Sequence, residues 1–416
     1  MNLAVLGSGG REHAICYKLK QSSKIKKLFC IPGNAGTQKI AQNIKEDISN
    51  FEKLYQIIIK NKIDLVIVGP EQPLVDGIVD FLDKKKVKVF GPDKYASQLE
   101  GSKAFMKNLC KKNNIPTANF GIFDNFDDAS KFIKKNGAPI VVKADGLASG
   151  KGVTICKSTE EALKNTKEIL EGKFKSTHQV VLEEFLEGEE LSYFVIVDKN
   201  SYLFFGSAQD HKRVGEGDVG PNTGGMGAYS PSPLLTKELE KKIKKKIIEP
   251  TLKAMKDLGH PYKGFLYAGL MIKKGEPYLI EYNIRMGDPE CQVTIPLIAS
   301  DLGDLLAAAA NDELHDISVE FHDACALTVV LAAEGYPGPV TNGKSITGIS
   351  ACEGGWVNHA ATEIRAGELV STGGRVLACT GISTDLKGAA SIAYSLIDNI
   401  TLQGSHHRRD IGYRAL

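Results

Sequence analysis

The sequence has no long apolar run, no strong net charge and no clustered cysteines, and each absence excludes a class of protein. No apolar run reaches the roughly 18 residues of a membrane-spanning helix. Lys and Arg total 52 against 50 Asp and Glu, so no overall charge favours nucleic acid or a membrane surface. The eight cysteines are scattered without a C-x-x-C pair, which is typical of reduced thiols. Since the N-terminus also has no basic signal-peptide region, we expect a cytoplasmic protein.

The first 100 residues alternate short apolar runs with helical patterns, and most of the runs end in Gly or Pro. This alternation predicts a doubly wound parallel sheet with its ligand crevice at the carboxyl ends of the strands. The predicted strands are Leu3–Leu6, Leu28–Ile31, Leu65–Val68 and Val87–Phe90. The predicted helices are Glu12–Lys20, Phe51–Lys60 and Pro73–Lys85.

Two changes of pattern along the chain predict three domains, 1–101, 102–322 and 323–416. A helix capped by Ser102 opens the second domain, and strand-rich sequence follows it. A lysine-rich stretch, Lys241–Pro250, carries isoleucines between its charges and predicts a helix with a solvated face. From about Asp323 further strands and a late helix predict a small α+β domain.

The glycines of Gly7–Glu12 follow a strand and open a helix, but they do not form a dinucleotide fingerprint. Glu12 stands where that fingerprint needs Gly or Ala, and no acid ends the second strand. The segment predicts a helix N-terminus with free N–H groups beside Arg11, which suits a phosphate monoester. The alternative is that the glycines only make a tight turn.

The stretch VVKADGLASGKGV, Val141–Val153, resembles a phosphate loop without being a Walker A motif. Only three residues separate Gly146 from Gly150, and Lys151 is followed by Gly152 instead of Ser or Thr. The stretch is therefore either a flexible turn without a ligand or a cover for phosphates in another architecture.

Three further segments carry charged groups suited to nucleotide chemistry. Glu281 and Asn283 lie two apart on a predicted strand, so they present two hard oxygen ligands on one face, and Arg285 shares that parity. The Gly-rich segment Gln209–Pro231 predicts a long binding loop with Asp210 and Lys212. In Leu182–Ser192 a carboxylate such as Glu190 could accept hydrogen bonds from ribose hydroxyls. A water-facing strand and an ordinary acidic turn remain the alternatives for the first and last segments.

Together these segments resemble the ATP-grasp superfamily from end to end. The matching stretches include GSGGREHAI, PGNAGT, VGPEQPLVDG, LEGSKAF, EEFLEGEELS, QDHKRVGEGDVGPNTGGMGAYSP, IEYNIRMGDPE and RRDIGYRA. The resemblance implies a pre-ATP-grasp sheet, a central ATP-grasp fold with a mobile lid at about 118–190, and a small C-terminal domain. It implies that nucleotide and metal contacts come from the phosphate-binding Lys103 and Lys143, the lid residues Gly146, Ser149, Gly150, Lys151 and Gly152, the adenine-binding Glu183, Glu184, Phe185 and Leu186, the ribose-binding Glu190, and the Mg²⁺ (or Mn²⁺) ligands Glu281 and Asn283.

Within the superfamily, the motifs are most similar to those of ligases that join glycine to 5-phosphoribosylamine for purine synthesis. The implied reaction uses ATP, forms glycyl phosphate and needs no general base in its first step, because the glycine carboxylate is already ionised. We expect Arg285, Asp210 and Lys212 at the reacting groups. We expect the substrates to be held by Gly9, Gly10, Arg11, Asn34, Glu71, Asn222, Thr223 and Gly224.

The implied partners are small molecules only, without nucleic acid or membrane, and we expect a monomer or weak dimer. ATP-grasp enzymes often carry a further acidic metal ligand on the preceding strand, but Tyr267–Ile272 contains no acid. The number of metal ions therefore stays open. The alternatives are a formate- or bicarbonate-using ligase of the same superfamily and a nucleotide-binding sensor that has kept the fold.

Overall fold

A computed structural model gives the structure of residues 1–147, 152–174 and 177–416. Across these residues, no helix is both long enough and apolar enough to cross a membrane.

The N-terminal part is the predicted parallel sheet, with strands in the order β3-β2-β1-β4-β5. The strands are β1 (Asn2–Gly7), β2 (Lys27–Pro32), β3 (Gln42–Asn43), β4 (Leu65–Val68) and β5 (Val89–Phe90). The helices are α1 (Gly10–Leu19), α2 (Phe51–Asn61), α3 (Glu71–Asp76) and α4 (Ile78–Lys84). The last two replace the single predicted helix because Gly77 adopts a left-handed backbone, with φ +96°, that ends α3.

A small antiparallel sheet in the order β6-β9-β7-β8 forms the predicted lid. Two helices lead into it, α5 (Gln98–Gly101) and α6 (Lys103–Lys112). The lid consists of β6 (Phe120–Phe123), α7 (Phe126–Asn136), β7 (Ile140–Ala144), β8 (Val153–Cys156), α8 (Thr159–Leu170) and β9 (Val180–Glu184). Its two helices and its strands share a separate apolar core that includes Ile133, Val142 and Leu182, so the lid has its own packing.

The central region builds most of a large antiparallel sheet. The strands of this central region are β10 (Glu189–Val197), β11 (Tyr202–Asp210), β12 (Arg213–Gly215), β13 (Val219–Asn222), β14 (Gly227–Ser230), β15 (Gly264–Lys273) and β16 (Glu276–Asn283). Its helices are α9 (Lys237–Ile243), α10 (Glu249–Asp257), α11 (Cys291–Thr294) and α12 (Leu302–Asn311).

Two sequence predictions about this region have different outcomes. The segment Gln209–Pro231 is not one long loop, because it contains the hairpin β12–β13 and the strand β14. The lysine-rich stretch is helical as predicted. It runs from α9 through a π-helical segment, Lys244–Ile248, into α10, with Ile243, Ile247 and Ile248 fully buried.

The C-terminal region continues the same large sheet, since β17 pairs with β14. Its elements are β17 (Cys325–Ala332), β18 (Ile346–Thr347), β19 (Gly355–His359), β20 (Thr362–Arg365), β21 (Glu368–Ser371), β22 (Arg375–Ser383), α13 (Leu386–Asp398) and β23 (Thr401–Leu402). The large sheet has the order β16-β15-β10-β11-β14-β17-β22-β19. It therefore contains strands from both sides of residue 322, the predicted limit between the second and third domains. The limits of the three domains stay a prediction.

Candidate active site

One cavity of about 960 Å³ collects most of the predicted site residues. Those on its wall are Arg11, Glu71, Lys103, Lys143, Gly146, Gly152, Glu183, Glu184, Phe185, Leu186, Glu190, Asp210, Lys212, Asn222, Thr223, Gly224, Glu281, Asn283 and Arg285. The predicted lid residues Ser149, Gly150 and Lys151 lie outside the described residues.

A buried ion triad lies on the lid side of the cavity. The Nζ atoms of Lys107 and Lys143 each lie 2.8 Å from one carboxylate oxygen of Glu183. Burial alone would raise the pKa of Glu183, but the two lysines outweigh it, so that pKa is lowered. The Glu183 side chain is thus engaged by lysines, and the adenine prediction for this stretch depends on its neighbours Glu184 and Leu186. Lys107 was missed by the sequence reasoning.

The start of α6 is joined to the chain that leaves β7. Lys103 Nζ donates to the carbonyl of Gly146 over 2.8 Å. The carboxylate of Asp145 accepts from Ser102 Oγ and from the N–H of Ala104, both at 3.1 Å. Gly146 has a φ of +87°, a backbone conformation that favours glycine. Burial lowers the pKa of Lys103, because a poorly solvated place disfavours the charged amine.

Glu281 and Asn283 lie on one face of β16, as the strand period predicts. Burial alone would raise the pKa of Glu281, but the charges of surrounding lysines, first of all Lys212, lower it. A carboxylate oxygen at this position is of the hard type that Mg²⁺ prefers, and the ligand role of Glu281 stays a prediction. Within the described ranges, no three His, Cys, Asp or Glu side chains form a metal cluster. The donor set fits a hard cation that takes its remaining ligands from phosphate and water.

Arg285 lies just beyond the end of β16 and is held by two carboxylates. Its Nε is 3.2 Å from Glu71 Oε2, and its second terminal nitrogen is 2.8 Å from Glu100 Oε1. The other oxygen of Glu100 accepts from the N–H of Ile284 at 2.8 Å. Burial raises the pKa of Glu100 to about 7, although Arg285 opposes the shift. Sequence reasoning missed Glu100, although it belongs to the quoted stretch LEGSKAF.

Asp210 and Lys212 lie at the end of β11, close to Glu190. Lys212 Nζ lies 2.6 Å from Glu190 Oε2, so the predicted ribose-binding acid and a predicted reacting-group lysine are partners here. Burial raises the pKa of Asp210 to about 7, with Lys212 opposing the shift and Glu290 and Glu190 adding to it. The cavity therefore contains a second carboxyl group that titrates near neutrality.

A second cavity of about 400 Å³ lies at the carboxyl ends of the N-terminal strands, where Gly9 is part of its lining. The prediction of free N–H groups here is wrong for two residues. Gly9 N–H donates to Glu12 Oε2 at 2.6 Å, and Arg11 N–H donates to Asp288 Oδ2 at 3.2 Å. Carboxylates already occupy this helix N-terminus. Arg11 and Asp288 line both cavities, so the two cavities adjoin there.

Two predicted substrate residues, Asn34 and Gly10, make packing contacts in the structure. The amide nitrogen of Asn34 donates to the carbonyls of Ser8 and His359, each at 2.8 Å, while its oxygen accepts from backbone N–H groups of its own turn. At Gly10 an added Cβ would lie 2.5 Å from Gln292 Nε2, so this glycine permits close packing. The predicted substrate contacts of both residues stay a prediction.

The end of the β12–β13 hairpin is held by a residue from the C-terminal region. Thr223 Oγ1 donates to the carbonyl of Lys212 at 2.8 Å. Arg375, on β22, donates to the carbonyls of Gly224 at 2.6 Å and Asp288 at 2.5 Å. It lies in none of the quoted motifs, so the sequence carried no signal for it.

Comparison with known protein families assigns the whole architecture. Residues 1–100, 101–291 and 326–414 match the N domain, the ATP-grasp (A) domain and the C domain of phosphoribosylglycinamide synthetase. The chain belongs to the phosphoribosylglycinamide synthetase family. The fold class predicted from sequence is thereby confirmed, and so is the resemblance to the ATP-grasp superfamily.

Relatives within the phosphoribosylglycinamide synthetase family match over the full length. The phosphoribosylamine–glycine ligase of Mesorhizobium japonicum is 48% identical over 419 residues, which cover 100% of this chain and 99% of the relative. The Brucella melitensis enzyme of the same name is 46% identical, with 100% and 98% covered. The crystal structure of the Thermotoga maritima phosphoribosylamine–glycine ligase is similar at 36% identity, with a TM-score of 0.88 and coverage of 99% and 100%.

A more distant structure shares the fold alone. The biotin carboxylase domain of the Hydrogenobacter thermophilus 2-oxoglutarate carboxylase, solved with MgADP and bicarbonate, is 18% identical with a TM-score of 0.75. The match covers 98% of this chain and 91% of that domain. ATP use follows from the match of residues 101–291 to the ATP-grasp domain.

Proposed function

We propose that the chain is a carbon–nitrogen ligase that joins glycine to 5-phosphoribosylamine, giving glycinamide ribonucleotide, ADP and phosphate in purine biosynthesis. The observation that carries the proposal is the match to all three domains of one ligase family over nearly the full chain. The gathering of the predicted nucleotide and reacting-group residues around one cavity supports it.

In this proposal ATP lies between the lid and β16. Lys103 and Lys143 contact its phosphates, and the described ends of the lid loop, Gly146 and Gly152, line the same cavity. Backbone N–H groups of a glycine-rich loop can cradle phosphates without Walker spacing. The stretch Glu184–Leu186 lines the cavity where we place the adenine.

Glu281 and Asn283 are the residues that would hold Mg²⁺ or Mn²⁺. A divalent cation bound there would neutralise negative charge on the phosphates during transfer. The lowered pKa of Glu281 supports this role, because a ligand must be ionised to bind the cation.

The chemistry needs positioning and charge neutralisation more than proton transfer. The glycine carboxylate attacks the γ-phosphorus, ADP leaves, and glycyl phosphate results. The amine of phosphoribosylamine then attacks the carbonyl carbon and expels phosphate. Arg285 and Lys212 supply permanent positive charge at the reacting groups, where negative charge moves between oxygens.

We place the amino sugar where the two cavities adjoin. Asp288 lines both cavities and Glu71 lines the main one, and these carboxylates can accept hydrogen bonds from an amine and from ribose hydroxyls. Arg11 contributes positive charge at the same place. This arrangement directs the amine towards the main cavity, where the acyl phosphate forms.

The solution state and the compartment belong to the same proposal. We propose a monomer or weak dimer in the cytoplasm, a compartment supported by the eight free cysteines of the described chain. Sedimentation velocity at several protein concentrations measures the first point.

A substrate-dependence assay tests the function. ADP release should require glycine and phosphoribosylamine together, while formate or bicarbonate with its matching amine should give none. Formate-dependent turnover without glycine would favour another ATP-grasp ligase. Tight ATP binding without phosphate release, with all substrates present, would favour a nucleotide sensor.

A further inference from the structure

The segment Arg408–Arg414 lies directly against the hairpin β12–β13. Only 1% of the Arg408 side chain is exposed, and its guanidinium makes a fork with both carboxylate oxygens of Asp410 at 2.7 Å. The remaining terminal nitrogen donates to Asp218 Oδ1 at 2.8 Å and to the carbonyl of Arg213 at 3.0 Å. Arg408 thus joins the first strand of the hairpin to its turn.

The hairpin has little apolar packing of its own. Residues 219–222 are all exposed, and 61% of Val219 is accessible to solvent. Its turn is held instead by charge-assisted contacts, since Asp218 also accepts from Tyr413 at 2.8 Å and from Arg414. Burial would raise the pKa of Asp218, but hydrogen bonds from Arg408 and Arg414 lower it well below its usual range. The position of the hairpin therefore depends on this ion network.

The same segment reaches the proposed reacting groups. The N–H of Gly412 donates to His211 Nε2 at 2.9 Å, and Arg414 donates to the carbonyl of Asp210 at 3.4 Å. At the other end of the hairpin, Arg375 donates to the carbonyls of both Gly224 and Asp288. Asp288 lies where the two cavities adjoin. The hairpin thus connects the ion network around Arg408 with the side of the cavity proposed to bind glycine and phosphoribosylamine. We call this the acceptor side.

We propose that Arg408 is a positioning residue, which fixes the hairpin β12–β13 so that Asn222–Gly224 form the acceptor wall of the cavity. The proposal rests on the proposed ligase function. It predicts a loss confined to glycine and phosphoribosylamine, because the nucleotide contacts come from the lid, α6, Glu190 on β10 and β16.

The test compares Arg408→Met, Arg408→Lys and the control Arg409→Met. The control removes a neighbouring guanidinium that is 53% exposed and pairs with Asp398, away from the cavity. For Arg408→Met we expect KM for both acceptor-side substrates to rise roughly tenfold, as when charge-assisted contacts that position a substrate are lost, and KM for ATP to stay within about twofold. Arg408→Lys should be intermediate, and the control should match the wild type.

Hydrogen exchange of the hairpin amides gives a readout that does not need turnover. Exchange across 215–222 should be faster in Arg408→Met and unchanged in the control. Asp218→Asn alters the carboxylate that accepts from Arg408, and it should behave like Arg408→Met. If KM for ATP rises as much as the other two, the effect is general and the inference is wrong. Wild-type turnover with unchanged KM values in Arg408→Met overturns this inference alone, whereas a wild type that makes no product overturns the proposed function as well.

Discussion

At the scale of single residues, cationic side chains that line the cavity form ion pairs with carboxylates that line the same cavity. Lys143 lies against Glu183, Lys212 against Glu190, and Arg285 between two acids. A buried charge without a partner would cost several kcal/mol, so the pairs of Lys143 and Arg285 hold these buried cations in place. The pair of Lys212 is partly exposed to solvent. In the proposed function, binding of ATP would exchange carboxylate for phosphate around the same positive groups.

The metal role proposed for Glu281 gives a prediction with a control on the same strand. Glu281→Gln keeps the size of the side chain but removes its charge, so we expect kcat to fall by roughly a hundredfold or more, with the melting temperature nearly unchanged. Glu276→Gln alters an exposed acid of β16 that pairs with Lys242 and Lys246, and it should leave kcat unchanged. Steady-state assays across Mg²⁺ concentrations measure both. Equal activity of the two variants at saturating Mg²⁺ would refute the ligand role.

The raised pKa of Asp210 predicts a pH-dependent stability. Its pKa is about 7 in the folded protein against 3.8 ordinarily, so the folded state binds more protons between those values. Stability contributed by this group is therefore complete below about pH 4 and is lost as pH rises towards 7. Asp210→Asn removes the titration. The melting temperature of the variant, relative to wild type, should rise between these two pH values.

The charged neighbours of Asp210 set the size of its pKa shift, and so the size of the pH-dependent change in melting temperature. Lys212 opposes the shift, and Glu190 and Glu290 increase it. A difference in melting temperature that stays constant across the pH range would show that Asp210 is already ionised in the folded protein.

At the scale of elements, local periodicity predicted what lies on one strand and missed what comes from elsewhere. The two-residue period placed Glu281 and Asn283 together correctly, and Ser102 was identified as a helix cap from its type and position. Of the N–H groups expected to be free at α1, that of Arg11 donates to Asp288, 277 residues further along the chain. No local pattern records such a contact, because only the tertiary fold brings the two elements together.

The cap of α6 supplies a prediction that separates stability from nucleotide binding. Ser102 accepts from the N–H of Phe105, and its hydroxyl also donates to Asp145 beside the lid loop. Ser158 caps α8 in the same way, by accepting from the N–H of Glu161. We expect Ser102→Ala and Ser158→Ala each to cost about 1 kcal/mol of unfolding free energy.

Only the Ser102 variant should raise KM for ATP, because only that cap is linked to the residues that flank the phosphates. Urea unfolding and ATP-dependent kinetics on both variants provide the comparison. An equal KM for ATP in both would mean that the α6 cap serves the helix alone.

At the scale of the whole molecule, a single sheet connects the strands proposed to bind ATP to the C-terminal region. β16 carries the proposed metal ligands and pairs with β15, and β14 pairs with β17 to continue the sheet. From the C-terminal side, Arg375 on β22 and the segment Arg408–Arg414 return to the cavity wall. The C-terminal region therefore takes part in the site, and a disturbance of the β14–β17 pairing should affect stability and turnover together.

Gly227 lies at this pairing and gives the test. An alanine Cβ there would lie 2.6 Å from the carbonyl oxygen of Thr328 on β17 and 2.8 Å from the side chain of Ile411. We expect Gly227→Ala to lose about 3 kcal/mol, at the upper end of the cost of overpacking, and to lower kcat as well. Gly259→Ala is the control, because Gly259 has open space around it and only the strain of its left-handed φ of +84°. That control should lose about 1 kcal/mol and keep full turnover, so equal losses and equal turnover in the two variants would show that the β14–β17 pairing does not support the site.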